Sequence, residues 1–272
     1  MANFQTIVGK LKVTDIEVRK ELRRRWHNPS RTSTPVFIVG CGRSGTSMLL
    51  KQLGKSWKVE YFNENHPEAF DNWRLKDLGS IDMLIRATSA PIVIFKPILN
   101  TSQANDFLSF YPSAKILFCF RHYDDVINSS IKKFGLENRI GHVRSWIFND
   151  FAEFSFAPPP NETKSLISSR WRPSLSPESG AALYWLFYNR LYFDLGLSGD
   201  NRVRLVQYEK VVANPAEGFA SVCEFLGMGL ETSMLEGIFS SSVRRDNPPD
   251  IDPAIRMDCE ALWQRLCTPV TL

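Results

Sequence analysis

The residues with the clearest chemical potential form a turn rich in glycine and hydroxyl side chains, Gly40-Cys-Gly-Arg-Ser-Gly-Thr-Ser47. A β-branched apolar run, Val36 to Val39, precedes this turn, and the apolar spacing from Met48 to Leu53 predicts a helix after it. In a strand–turn–helix arrangement, backbone N–H groups converge on one anion and the helix dipole favours negative charge there. The turn adds one cation and three hydroxyl donors, at Arg43, Ser44, Thr46 and Ser47. The stretch therefore predicts a phosphate-binding site.

One position in this turn separates it from the loops of nucleotide hydrolases. Gly40 and Gly45 have the spacing of a Walker A motif, but Thr46 stands where such a motif carries its lysine. That lysine is the main charge partner of the β- and γ-phosphates. The cation of this turn is Arg43, three residues earlier. The substitution disfavours hydrolysis of ATP or GTP, and it leaves no obvious need for Mg²⁺.

A second cation and hydroxyl follow another predicted strand. Ala114 to Phe120 is apolar and β-prone, Arg121 stands at its end, and the chain looks helical from Asp124 onward. Ser129 comes eight residues after Arg121, two turns up that helix. The guanidinium fork and the hydroxyl can therefore reach one phosphate together.

These motifs resemble those of sulfotransferases that use 3′-phosphoadenosine 5′-phosphosulfate as donor. The Arg43 to Ser47 run resembles the family's 5′-phosphosulfate loop. The family pattern Arg-x-Pro-x-Asp-Val-x-x-Ser is kept at Arg121, Asp125 and Ser129, with Tyr123 in place of the proline. The resemblance implies that Arg121 and Ser129 bind the 3′-phosphate of the donor.

A third segment extends the resemblance towards the C-terminus. The predicted strand from Arg202 to Gln207 runs into Tyr208-Glu-Lys-Val-Val-Ala-Asn-Pro215 and an amphipathic helix ending at Gly227, as in the C-terminal half of sulfotransferases. By this resemblance Tyr208 packs near the adenine of the donor. Whether Arg244 or Arg245 also contacts the 3′-phosphate stays open.

The resemblance also suggests a base for the acceptor's proton. Cytosolic phenol and steroid sulfotransferases carry a histidine two residues after a strand-end lysine. In this chain the residue two positions after Lys96 is Ile98. Carbohydrate and tyrosylprotein sulfotransferases instead use a glutamate about twenty residues beyond the loop, and Glu64 lies 21 residues after Arg43. Glu64 is the predicted base. His66, Glu60 and an ordinary surface role for Glu64 remain alternatives.

The implied reaction is transfer of a sulfuryl group to an acceptor hydroxyl, and the base arrangement favours a carbohydrate or other small molecule. Arg43 would stabilise the charge that develops on the leaving oxygen, and Lys96 would add charge at the sulfuryl group or the acceptor. No metal is expected. A P-loop kinase and a catalytically silent nucleotide-binding module are the alternatives.

The predicted strands and helices that position these residues alternate along the chain. This order predicts a three-layer α/β domain with a mostly parallel central sheet and helices on both faces. The expected strands are Val36–Val39, Lys58–Phe62, Ile92–Lys96, Lys115–Phe120 and Val203–Gln207. The carboxyl ends of such strands are where an α/β sheet binds its ligand.

The chain divides into a helical extension over residues 1–34 and one domain over residues 35–272. The extension contains a basic helix predicted over 15–26, with arginines at 19 and 23–25. A stretch rich in Pro and Ser, at about 156–178, predicts a long loop between helices over 141–154 and 180–195. This loop is either a substrate lid or an exposed connection.

Composition sets wider bounds. With 272 residues and 43% apolar content the chain can bury one sizeable core, and a net charge of +4 is too small to indicate nucleic acid. No apolar run is long enough for a membrane span, and the N-terminus lacks a signal-peptide core. The five cysteines show no metal-type pairing and are expected to be free thiols in a reducing compartment. These features predict a cytoplasmic protein.

Overall fold

The computed structural model of the protein describes residues 15, 17–241, 243, 244 and 246–268. Its strands are β1 (Thr34–Gly40), β2 (Val59–Phe62), β3 (Phe70–Asp71), β4 (Arg74–Leu75), β5 (Ile92–Phe95), β6 (Lys115–Phe120) and β7 (Val203–Gln207). Five of them form one parallel sheet in the order β2-β5-β1-β6-β7. The predicted fold class is confirmed, and each predicted strand lies within two residues of its expected bounds.

Helices cover both faces of this sheet. They are α1 (residues 17–27), α2 (Thr46–Leu53), α3 (Leu78–Ala87), α4 (Ala104–Phe110), α5 (Tyr123–Phe134), α6 (Leu136–Phe148), α7 (Asn161–Arg170), α8 (Pro177–Asp194), α9 (Tyr208–Ala213), α10 (Pro215–Leu226) and α11 (Pro253–Cys267).

The central strand β1 divides the core into two apolar clusters because successive side chains point to opposite faces of a sheet. Val36 and Ile38 pack with the buried faces of α2 and α10. Phe37 and Val39 pack on the other face, where α8 contributes the largest part of the cluster. All four side chains are fully buried, which explains why Val36–Val39 is a continuous apolar run rather than an alternating one.

Helix α7 and the hairpin of β3 and β4 are among the elements that the sequence did not predict. The Pro- and Ser-rich segment is not one loop, because Asn161–Arg170 forms α7. Only Thr163 and Ile167 of α7 are buried, so its apolar stripe is too narrow to stand out in the sequence. The hairpin of β3 and β4 has two residues in each strand, too few to show a period.

The predicted basic helix is present as α1, and it is anchored rather than fully solvated. Arg24 is buried and donates hydrogen bonds to the carbonyl oxygens of Trp57 and Val59 and to the Glu60 carboxylate, at 2.8, 2.6 and 2.6 Å. Residues 1–14 of the predicted extension lie outside the described residues. None of the helices in the described part of the chain has the length and apolarity that a membrane span requires.

Candidate active site

The parallel sheet gathers the predicted site residues at one edge. Its strands end at Gly40, Phe62, Phe95, Phe120 and Gln207. Since parallel strands present their carboxyl ends on the same side, the segments that follow them meet there. These segments carry Arg43, Glu64, Lys96, Arg121 and Tyr208, which are far apart in the sequence.

The phosphate loop has the backbone that an anion site needs. Gly45 precedes α2 with a φ of 82°, a left-handed conformation that a side chain would strain. Thr46 is buried as the first residue of α2, and Ser47 is exposed. The first N–H groups of an α-helix have no partner within the helix, so α2 directs free donors at this loop. The buried Ser44 hydroxyl has no hydrogen-bond partner among the residues that the structure describes, which fits a ligand oxygen at this position.

Arg43 links the phosphate loop to α5. Its Nε donates a hydrogen bond to the Ser129 hydroxyl at 3.0 Å. Burial, together with the neighbouring guanidinium groups of Arg121 and Arg139, lowers the pKa of Arg43. Three guanidinium groups close enough to repel one another make a site that favours an anion.

Arg121 stands directly after β6, as predicted, and its guanidinium is buried. One Nη lies 3.1 Å from the Asp125 carboxylate one helical turn on. The same carboxylate accepts hydrogen bonds from the backbone N–H of Arg244 at 3.0 and 3.1 Å. Asp125 thus holds the backbone of Arg244 at this site. Arg245, the other candidate of the sequence analysis, lies outside the described residues.

Tyr208, the first residue of α9, lies between the two predicted phosphate sites. A β-carbon on Gly45 would overlap the Cδ2 atom of the Tyr208 ring, so the ring packs directly on the loop backbone. The guanidinium carbon of Arg121 lies 4.5 Å from the centroid of the same ring, at a distance typical of a cation–π contact. Its contact with adenine stays a prediction.

Glu64 and Lys96 form a buried ion pair. Their side chains are 13% and 5% exposed, and the Lys96 ammonium donates a hydrogen bond to the Glu64 carboxylate. The pair is positioned by β2 and β5, since the backbone N–H of Lys96 donates to the Phe62 carbonyl oxygen at 3.2 Å. Burial raises the pKa of Glu64 and outweighs the opposing effect of Lys96. A carboxylate of raised pKa is a stronger base.

The two rival bases have other partners. Glu60 accepts the hydrogen bond of Arg24 at 2.6 Å, which ties it to α1. The His66 ring contacts the rings of Tyr61 and Phe62, with centroids 6.0 and 6.1 Å apart. Within the described part of the chain, no group of three His, Cys, Asp or Glu side chains is placed to hold a metal ion.

Sequence reasoning missed Arg139. It lies on α6 and is buried, and a β-carbon on Gly42 would be 3.2 Å from its Nη2. No motif contains it. A signal was nevertheless present, because residues 139, 143 and 146 share one helix face, and an arginine among the apolar Val143 and Trp146 is exceptional.

Comparison with known proteins identifies a family and a similar fold. The sulfotransferase domain family matches residues 33–245, which is most of the chain. No curated protein is significantly similar. Solved structures that resemble the fold include a sulfotransferase from Alicyclobacillus acidocaldarius (18% identity, 86% of this chain and 93% of that chain covered, TM-score 0.49). The sulfotransferase domain of the Synechococcus PCC 7002 olefin synthase is 16% identical, with 88% of this chain and 96% of that chain covered and a TM-score of 0.46. A sulfotransferase from Mycobacterium avium is 12% identical, with 94% of this chain and 82% of that chain covered and a TM-score of 0.45.

The family match covers the phosphate loop, the Glu64–Lys96 pair, the Arg121 and Ser129 motif and Tyr208 in a single span. The kinase alternative gains no support from this match, because it is a sulfotransferase domain that spans the loop. The chain belongs to the sulfotransferase domain family and is a sulfotransferase.

Proposed function

We propose that the protein transfers a sulfuryl group from 3′-phosphoadenosine 5′-phosphosulfate to an acceptor hydroxyl, with Glu64 as the base. The observation that carries the proposal is the contact between Arg43 and Ser129. It brings the loop suited to a 5′-phosphosulfate beside the motif suited to a 3′-phosphate. A donor with phosphates at the 3′ and 5′ positions of one ribose needs two such sites side by side.

The residues present fit this donor. Among the described residues the buried Ser44 hydroxyl has no partner, and Gly45 lets the Tyr208 ring pack directly on the loop backbone. Arg43, Ser44, Gly45, Thr46 and Ser47 would hold the 5′-phosphosulfate. Arg121 and Ser129 would hold the 3′-phosphate, and Tyr208 would lie along the nucleoside.

The donor supplies the sulfuryl group, whose bond from sulfur to the bridging phosphate oxygen breaks as the bond from the acceptor oxygen to sulfur forms. The acceptor proton passes to the Glu64 carboxylate, and adenosine 3′,5′-bisphosphate leaves with the bonding electron pair. Arg43 and the first N–H groups of α2 stabilise negative charge at the leaving oxygen. Lys96 orients Glu64 before reaction and can turn its ammonium to the sulfuryl oxygens once Glu64 is protonated.

The acceptor is a hydroxyl compound, and a carbohydrate stays the first prediction for its class. Incubation with the donor and a panel of sugars, phenols and alcohols, read by mass spectrometry for products heavier by one SO₃, tests the function directly. Calorimetry compares adenosine 3′,5′-bisphosphate with ATP and Mg²⁺. Tighter binding of ATP with Mg²⁺ would contradict the proposal, and so would donor binding without turnover of any acceptor.

A further inference from the structure

Arg139 is a buried cation, and no carboxylate of the described residues lies within ion-pair distance of it. Only 8% of its surface is exposed. Its guanidinium carbon lies 4.1 Å from the ring centroid of Tyr184 and 4.7 Å from that of Phe134. Among the described residues no carboxylate pairs with it, and its Nε is buried without a hydrogen-bond acceptor. Because a buried charge without a partner is costly, this arrangement points to an anionic ligand.

The position of Arg139 places that ligand at the reaction centre. A β-carbon on Gly42 would lie 3.2 Å from Arg139 Nη2 and 4.0 Å from Ile98 Cγ2. Gly42 directly precedes Arg43, and Ile98 comes two residues after Lys96. The positive charge of Arg139, on α6, acts to lower the pKa of both Arg43 and Glu64.

The surroundings of Arg139 differ from those of the donor site. The proposed donor phosphates already have the loop between β1 and α2, Arg121 after β6, and Ser129 on α5. Arg139 lies on α6 between two aromatic rings, with the apolar Ile98 nearby and the His142 ring 6.0 Å from that of Tyr184. Aromatic and apolar walls around this guanidinium suit an organic acid with a hydrocarbon body.

We propose that Arg139 binds the acceptor, and that the acceptor carries an oxyanion group (a carboxylate, sulfate or phosphate) in addition to the hydroxyl presented to Glu64. This inference rests on the proposed function, because it places the acceptor of that same site. The guanidinium offers a planar fork of donors that matches an oxyanion with two hydrogen bonds. Arg139 could instead bind the oxygens of the transferring sulfuryl group, and the test below distinguishes that role from binding of the acceptor.

The test uses matched pairs of probes: 4-hydroxybenzoate, 4-hydroxyphenylacetate and N-acetylserine, each beside its uncharged methyl ester. Calorimetry measures their binding to the protein saturated with adenosine 3′,5′-bisphosphate. At least one acid should bind about tenfold or more tightly than its ester, as expected for a charged hydrogen bond. Arg139→Met should weaken that acid by a similar factor and leave the ester within about twofold.

Arg144→Met is the matched control, because Arg144 lies on the same helix but is half exposed and pairs with Glu137 at 3.7 Å. Arg139→Lys keeps the charge without the fork and should retain part of the preference. Thermal unfolding and bisphosphate affinity of each variant report whether the site is intact. If Arg139→Met does not fold, Arg139→Lys and the parent still give the comparison of acid with ester.

Three outcomes would overturn the inference: no acid binds the parent more tightly than its ester, Arg139→Met leaves the acid preference unchanged, or it lowers turnover of acids and neutral acceptors by the same factor. The last outcome would assign Arg139 to the transferring group. Because binding is measured without turnover, acid-selective binding in a protein that transfers nothing would contradict the proposed function but would still show that Arg139 binds an oxyanion.

Discussion

Arg43 Nε lies 3.0 Å from Ser129 Oγ, although 86 positions separate the two residues. This contact joins the turn after β1 to the second helical turn of α5. It means that a ligand held by the loop is also within reach of α5. The two halves of the proposed donor site therefore depend on each other.

Ser129→Ala should reduce the preference for a nucleotide with a 3′-phosphate. We expect the ratio of the dissociation constants of adenosine 5′-phosphate and adenosine 3′,5′-bisphosphate to fall by about tenfold, the effect of one hydrogen bond to a charged group. Calorimetry with both nucleotides measures it. Ser145→Ala, an exposed serine on α6, is the control. Equal affinity of the parent for both nucleotides would remove the 3′-phosphate from this site.

Gly45→Ala should damage the phosphate loop. The new β-carbon would overlap the Tyr208 ring, and the φ of 82° costs a residue with a side chain about 1–2 kcal/mol. We expect a lower melting temperature and bisphosphate binding weakened by more than about tenfold, since the loop N–H groups must shift. Gly229→Ala is the control, because its β-carbon would meet nothing within 4 Å. Unchanged binding in Gly45→Ala would mean that Tyr208 and the loop are not packed together when the donor is bound.

Glu64→Gln should abolish the base while keeping the shape of the side chain. We expect kcat to fall by roughly 10²- to 10⁴-fold with little change in bisphosphate binding. The parent's kcat should rise with pH as Glu64 loses its proton, at a pH above the usual range for a glutamate because burial raises its pKa. The kcat of the variant should lack this rise with pH. Glu68→Gln, an exposed carboxylate four residues on, should behave as the parent. Near-parent turnover in Glu64→Gln would transfer the role to His66 or Glu60.

Arg139→Met should change the titration of His142. Burial lowers the pKa of His142, and the charge of Arg139 lowers it further. Removing that charge should raise the pKa, which NMR of the histidine Cε1–H signals measures against pH. His122 is the internal control, because its charged neighbours are Asp124, Arg244, Asp125 and Glu260 instead. An unchanged His142 pKa would show that Arg139 does not lie where the structure places it.

Arg24→Met should loosen α1 from the domain. The change leaves two carbonyl oxygens and the Glu60 carboxylate without their donor, and we expect a loss of roughly 2–3 kcal/mol in the free energy of unfolding. Arg25→Met, whose partner Glu21 lies one turn away on the surface, should cost less than about 0.5 kcal/mol. Denaturant unfolding compares the two. Equal effects would mean that the buried hydrogen bonds of Arg24 do not hold the helix.

The sequence by itself determined the parallel sheet and supplied the motifs of the proposed donor site, because both are local patterns. Apolar runs such as Val36–Val39 define buried strands, and the turn from Gly40 to Ser47 carries its chemistry in consecutive residues. The family pattern that includes Arg121 and Ser129 is likewise contained in nine residues. The missed α7 shows the limit of such patterns, since only Thr163 and Ile167 of that helix are buried.

The tertiary structure decided which distant side chains act as pairs. Glu64 was chosen by its spacing from Arg43, but its burial against Lys96 depends on the pairing of β2 with β5. Arg139 is one arginine among many in the sequence, and it becomes a site residue only because α6 packs it between Tyr184 and Phe134 beside the loop. The physical reason is that burial sets the cost of an unpaired charge, and burial is a property of the packed chain.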